Sequence, residues 1–122
     1  YDFTQDQRYL DGVTESMDYL LGRNALSFSF ISGYGVRALE HPHHRFWANQ
    51  ADFPPPPPGA VSGGPNGNPT DPAAIDAGVS TLGAARRYID VIGSWSTNEI
   101  TINWNAPLVW VTTYLDAHMR GN

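Results

Sequence analysis

Asp90 and Glu99 fall in one aromatic-rich segment that runs Tyr88-Ile89-Asp90, Trp95, then Asn98-Glu99-Ile100-Thr101-Ile102-Asn103-Trp104-Asn105-Ala106. A carboxyl near the indoles of Trp95 and Trp104 would be partly desolvated, which favours its neutral, proton-donating form. That makes Glu99 a candidate general acid. The same residue ends Ser96-Thr97-Asn98-Glu99, a capping-box sequence, so closing the first turn of a helix is an equally good local reading. Asp90, just ahead of Gly93, reads locally as a turn aspartate.

A second stretch carries different chemistry. Ser29-Phe30-Ile31-Ser32-Gly33-Tyr34-Gly35-Val36-Arg37 leads into His41-Pro42-His43-His44-Arg45. Imidazole and guanidinium groups donate to hydroxyls, and Arg does so with several donors in fixed geometry. Three clustered histidines also raise a metal site, since His is a frequent ligand. No Cys and no paired helical His spacing completes one, so zinc catalysis is not supported. His41 reads as a solvated loop residue and His44 stays unassigned.

The elements that must position these groups are few. Thr4-Gln5-Asp6-Gln7 has capping-box form, and Tyr9, Leu10, Val13, Met17, Leu20 and Leu21 form one apolar stripe. This predicts a helix over 5–21, stopped by Gly22. From Arg23 to about Trp95 the helical period vanishes among glycines and the unbroken Pro54–Pro58 run, which is extended and cannot join a helix. Loops longer than about 15 residues are usually functional, and this one is far longer. A short helix is compatible with Ala73–Arg87. A second helix is predicted over 97–118, apolar nearly all round as in a buried helix, with a kink or break at Pro107. Such a pair leaves the last helix short of partner surface, so further helices are expected from elsewhere.

Composition narrows the partners. A net charge of -5 and a pI near 5.1 offer no basic footprint for nucleic acid. The absence of Cys excludes disulfides and thiolate chemistry. No apolar run approaches the roughly 20 residues that span a membrane. The chain opens Tyr1-Asp2-Phe3 without a signal-like segment, so an export signal is expected to lie upstream or to have been removed, and the chain is expected to be a piece of a longer product.

Both chemistry-bearing stretches resemble the two C-terminal signatures of family 9 glycoside hydrolases, one centred on a histidine, the other on an aspartate and a glutamate. Tyr19-Leu20-Leu21-Gly22-Arg23-Asn24-Ala25 is also similar to the family's approach to the first signature. The likeness covers nearly all of 1–122, in the right order. It implies an all-α fold, an (α/α)6 barrel to which this chain gives the final helical pair and the long connecting loop, incomplete as a single chain. It also implies hydrolysis of β-1,4-glucan with inversion, by an extracellular, secreted enzyme. Glu99 then aligns with the general acid, Asp90 with a supporting carboxylate, and His43 and Arg45 with groups that hold glucosyl units beside the scissile bond.

Pyranose faces pack on aromatic rings, so Tyr34, Trp47, Tyr88, Trp95 and Trp104 become candidate platforms, each equally open to a packing role. Trp104 is the best placed and Trp47 the next. The proline run fits a rigid cleft wall better than an SH3-type ligand, as it lacks flanking basic residues. The stretch from Phe46 to Gly64 looks closest to the branch that often carries an immunoglobulin-like domain ahead of the barrel. No cofactor is needed for the chemistry. Many family members carry structural calcium, and Asp71 and Asp76 are its candidate carboxylates here, although their spacing is not an EF-hand loop.

Inversion needs two carboxyl groups about 6.5–9.5 Å apart, one acid and one base. The family's base belongs to an Asp-rich motif with no counterpart in this sequence. The chain alone is therefore expected to be inactive, with the rest of the domain as its partner, as a second chain or as the remainder of one product. The alternative is a carbohydrate-contacting or structural fragment without catalysis.

Overall fold

The computed structural model describes residues 1–48, 52 and 54–120. Parts of the Phe46–Gly64 stretch, namely Asn49 to Ala51 and Phe53, lie outside the described residues. Among the described residues four α-helices follow in order: α1 (Gln7–Leu20), α2 (Pro72–Asp76), α3 (Trp95–Asn98) and α4 (Ile102–Met119). Two 3-10 turns, Val79–Thr81 and Ala84–Arg86, lie between α2 and α3. Among the described residues the extended backbone pairs only as isolated bridges. The segment is helical, with a long irregular middle.

The α1 stripe forms a helix as predicted, but it starts later than 5. Gln5 has a left-handed φ of 56°, so the helix cannot begin before the chain straightens at Asp6. Asp6, not Thr4, caps it by accepting from the Arg8 N–H at 3.1 Å. At the other end Gly22, with a φ of 126°, carries the chain out of the helix.

The helix predicted over 97–118 is divided. One turn, α3, ends at Asn98; Glu99 is extended at φ -75° and ψ 142°; α4 begins only at Ile102. The Ser96–Glu99 capping box does not form: Ser96 lies inside α3, and its Oγ accepts from the Thr70 and Asp71 N–H groups, not from Glu99, while its hydroxyl donates to the Asp71 carboxylate. Pro107 sits inside α4 without ending it.

The core is built mainly by the loop. Phe30, Ile31, Val61, Tyr88 and Leu108 form its buried cluster, with Met17, Leu20, Leu26 and Phe28 packed against it. Phe30 meets Tyr88 edge-on at 4.9 Å, a favourable aromatic geometry. Neither helix supplies most of this cluster: α1 has no buried residue and α4 buries only Leu108 and Leu115. Ile102, Val109 and Trp110 of α4 are 88%, 67% and 64% exposed, so most of its apolar circumference is uncovered. None of the helices among the described residues is long and apolar enough to cross a membrane.

Candidate active site

Single bridges stitch distant segments around Glu99. His43 pairs in parallel with Glu99: its N–H donates to Asn98 O at 2.9 Å, and its carbonyl accepts from Ile100 N–H at 3.0 Å. On the other flank the Gly63 N–H donates to Glu99 O at 3.0 Å, and Ser62 pairs with Ile100. Glu99 is held between two loop segments, on an extended link between helices.

Asp90 ties the same segments together from behind. Its carboxylate accepts from the backbone N–H groups of Glu40 and His41, both at 2.9 Å, and from the Asn98 amide at 3.0 Å. Asn98 is fully buried; it also donates to His41 O at 2.8 Å and accepts from the Tyr88 hydroxyl at 2.6 Å. Burial of that phenol, with the Asp90 charge nearby, pushes its pKa well above the ordinary tyrosine value against the opposing Ser62 contact. Tyr88 is therefore a core group that acts as a neutral donor.

Glu99, Trp95 and Trp104 line one groove of about 230 Å³, together with Ser96, Thr97 and the glycine-rich Gly63–Gly67 turn. The Asn66 amide fastens that turn by donating to Ser96 O at 2.8 Å. Both indoles are partly exposed, at 46% for Trp95 and 39% for Trp104. The Glu99 carboxyl makes no hydrogen bond to another described residue. A half-buried carboxyl that shares a groove with two partly exposed indoles can exchange a proton with a ligand bound there.

His43 lies beside this groove, and its Nδ1 donates to the Ile92 carbonyl at 2.6 Å. That fixes the ring and leaves Nε2 as the other functional atom. Arg45 is exposed and makes no hydrogen bond or ion pair to another described residue. Tyr34 is 56% exposed and does not line the groove that holds Glu99.

Trp47 is also not in that groove. It is 8% exposed, donates its indole N–H to Pro42 O at 2.5 Å, and packs on His44 at 4.9 Å. It props the histidine loop and borders a separate apolar cavity of about 960 Å³ under the proline run. Of the sequence candidates, then, Glu99, Trp95 and Trp104 meet in one groove and His43 abuts it.

The two calcium candidates differ in their surroundings. Asp71 is fully buried; its Oδ1 accepts from Ala74 N–H, and its Oδ2 from the Ser94 hydroxyl and the Ser96 N–H and hydroxyl. Its lone pairs are committed to protein donors. Asp76 is exposed, and no group of three His, Cys, Asp or Glu able to hold a metal occurs among the described residues.

Residues 1–112 match a family model described as glycosyl hydrolase family 9. The chain belongs to glycosyl hydrolase family 9. It is 53% identical over 118 residues to a cellulose 1,4-beta-cellobiosidase of Acetivibrio thermocellus, covering 95% of this chain and 13% of that protein. It is 43% identical over 122 residues to endoglucanase C of Cellulomonas fimi, covering 94% of this chain and 11% of that protein. A single-mutant thermostable endoglucanase from Alicyclobacillus acidocaldarius superposes with a TM-score of 0.75 at 39% identity, over 84% of this chain and 19% of that structure. The family 9 chain thus spans little more than a tenth of these curated relatives.

Three residues of this family 9 chain escaped sequence reasoning. Asn98 and Asn105 are clamps, the latter exchanging bonds with the Val61 backbone at 2.9 and 3.1 Å. Gly63 is the third. Both asparagines stand in the signature segment, yet nothing in their local spacing names partners so far upstream.

Proposed function

We propose that residues 1–122 are the acid-bearing part of a catalytic domain that hydrolyses β-1,4-glucosidic bonds in cellulose or a related glucan, with inversion. In this reading the remaining helices of an (α/α)6 barrel lie outside the chain and cover the apolar face of α4. The observation that carries it is the meeting of Glu99, Trp95 and Trp104 in one groove, with Glu99 released from any capping duty by its extended backbone.

The mechanism follows from that arrangement. Glucosyl faces stack on the indoles, and His43 and Arg45 donate to ring hydroxyls on either side of the scissile bond. Glu99 gives its proton to the departing glycosidic oxygen as the bond to the anomeric carbon breaks. A carboxylate from outside residues 1–122, about 6.5–9.5 Å away, takes a proton from the water that attacks the opposite face. Asp90 contributes by holding the histidine loop against the acid segment. Without the base, the chain alone turns nothing over. A polymeric substrate also implies work outside the cell, consistent with export.

The test is Glu99→Gln in the full-length protein. Turnover of an unactivated cello-oligosaccharide should fall by about 10²–10⁴, while binding of the same sugar persists. Near-normal turnover in that variant refutes the assignment.

A further inference from the structure

The turn that floors the groove contains a glycine whose missing side chain matters. A Cβ at Gly63 would stand 2.6 Å from Cη2 and 2.7 Å from Cζ3 of Trp104, far inside the roughly 3.5–4.0 Å at which carbon atoms rest. Backbone freedom is not the reason for glycine, because Gly63 is not among the residues with positive φ. The requirement is room. The same residue donates its N–H to Glu99 O at 3.0 Å. One position therefore touches both the indole and the backbone of the acid beside it.

We infer that Gly63 is a positioning residue for substrate binding: its bare Cα lets the Trp104 ring lie against the loop beside Glu99, and so sets how firmly a glucosyl unit stacks there. This rests on the functional reading above. Gly63 acts through Trp104 and needs no contact with sugar of its own. The contacting atoms are the far edge of a ring that is 39% exposed, so a methyl group at 63 has an outlet. The indole swings away, the stacking surface shifts, and the fold survives. The N–H to Glu99 is kept by alanine, so the acid stays where it is.

The experiment compares Gly63→Ala, Trp104→Phe and the double variant in the full-length protein, with cellotetraose as substrate. Gly63→Ala should raise KM about three- to tenfold, the scale of a lost aromatic stacking contact, and leave kcat in place. In the Trp104→Phe background the same change should add little, because the shorter ring leaves space for the methyl. Should Gly63→Ala fail to fold, recovery of folding in the double variant supports the contact, and no recovery overturns it. An unchanged KM in Gly63→Ala, or an equal rise in both backgrounds, also overturns the inference while active wild-type protein leaves the hydrolase reading standing. Wild-type protein without activity on any β-1,4-glucan defeats that reading, and this inference with it.

Discussion

Asp71 illustrates what a single side chain does here. Burial by itself raises the pKa of such a carboxyl, yet the Ser96 hydroxyl, the Ala74 and Ser96 N–H groups and the Ser94 hydroxyl together hold it below the ordinary aspartate value. A folded pKa below the unfolded one means the stabilisation is complete above about pH 4 and is lost as pH falls through the folded value. Asp71→Ala should strand several buried donors and cost about 1–3 kcal/mol in denaturant unfolding. The variant's stability should then respond less to acid than wild type below about pH 4. A short helix was legible only within Ala73–Arg87, and Asp71 only as a calcium candidate; its place as the cap, with proline at the first helical position, was missed. Its partners Ser94 and Ser96 were missed too, because they arrive from the far side of the 3-10 turns. Glu99 was legible for the opposite reason: a fixed pattern of neighbours surrounds it in sequence.

At the level of elements, apolar periodicity located α1 and α4 but misjudged the start of each. The capping-box pattern predicts one helix running on from 97, whereas α3 stops at Asn98. The Ser96 Oγ accepts from the Thr70 and Asp71 N–H groups and not from Glu99, so no side chain caps a helix through Glu99, and the chain stays extended until Thr101. The first turn of α4 is then fastened by Asn105, whose amide reaches Thr101 O at 2.8 Å and both polar groups of Val61. Asn105→Ala should leave the buried Val61 N–H unpaired, lowering stability by about 1–3 kcal/mol. Hydrogen exchange at the Val61 amide should accelerate more than at the Met17 or Leu20 amides of α1. Equal acceleration everywhere would mean a global effect and not a local clamp.

Across the whole molecule, the ends of the described segment meet. His118 Nε2 lies 2.9 Å from Asp2 Oδ1, while its Nδ1 faces the Tyr114 carbonyl at 2.8 Å. The Tyr1 and Tyr114 rings pack beside it at 5.6 and 4.1 Å. The Tyr114 carbonyl first and the Asp2 carboxylate next raise the imidazole pKa above its ordinary value. The linked stabilisation is therefore full below about pH 6.5 and fades as pH rises through the folded value. An NMR titration should place the His118 midpoint above about 6.5, and Asp2→Asn should move it back down. A second expectation at this scale concerns the bare face of α4. Residues 1–122 produced alone should bind an apolar fluorophore strongly, and the full-length protein should not. Composition and the uniform apolarity of α4 made that face legible. The loop-built core was not, since its residues are scattered from Phe28 to Leu108 without any period.

Position 99 is clamped by His43 on one side and Gly63 on the other, on a stretch of backbone with no helix of its own. Contacts that span so much chain form late in folding. A nascent or partly collapsed molecule would own the carboxyl without its address, so under the proposed function competence for proton delivery should emerge together with closure of the loop. Any agent that pries the 43 or 63 segment loose should displace Glu99 before the helices melt.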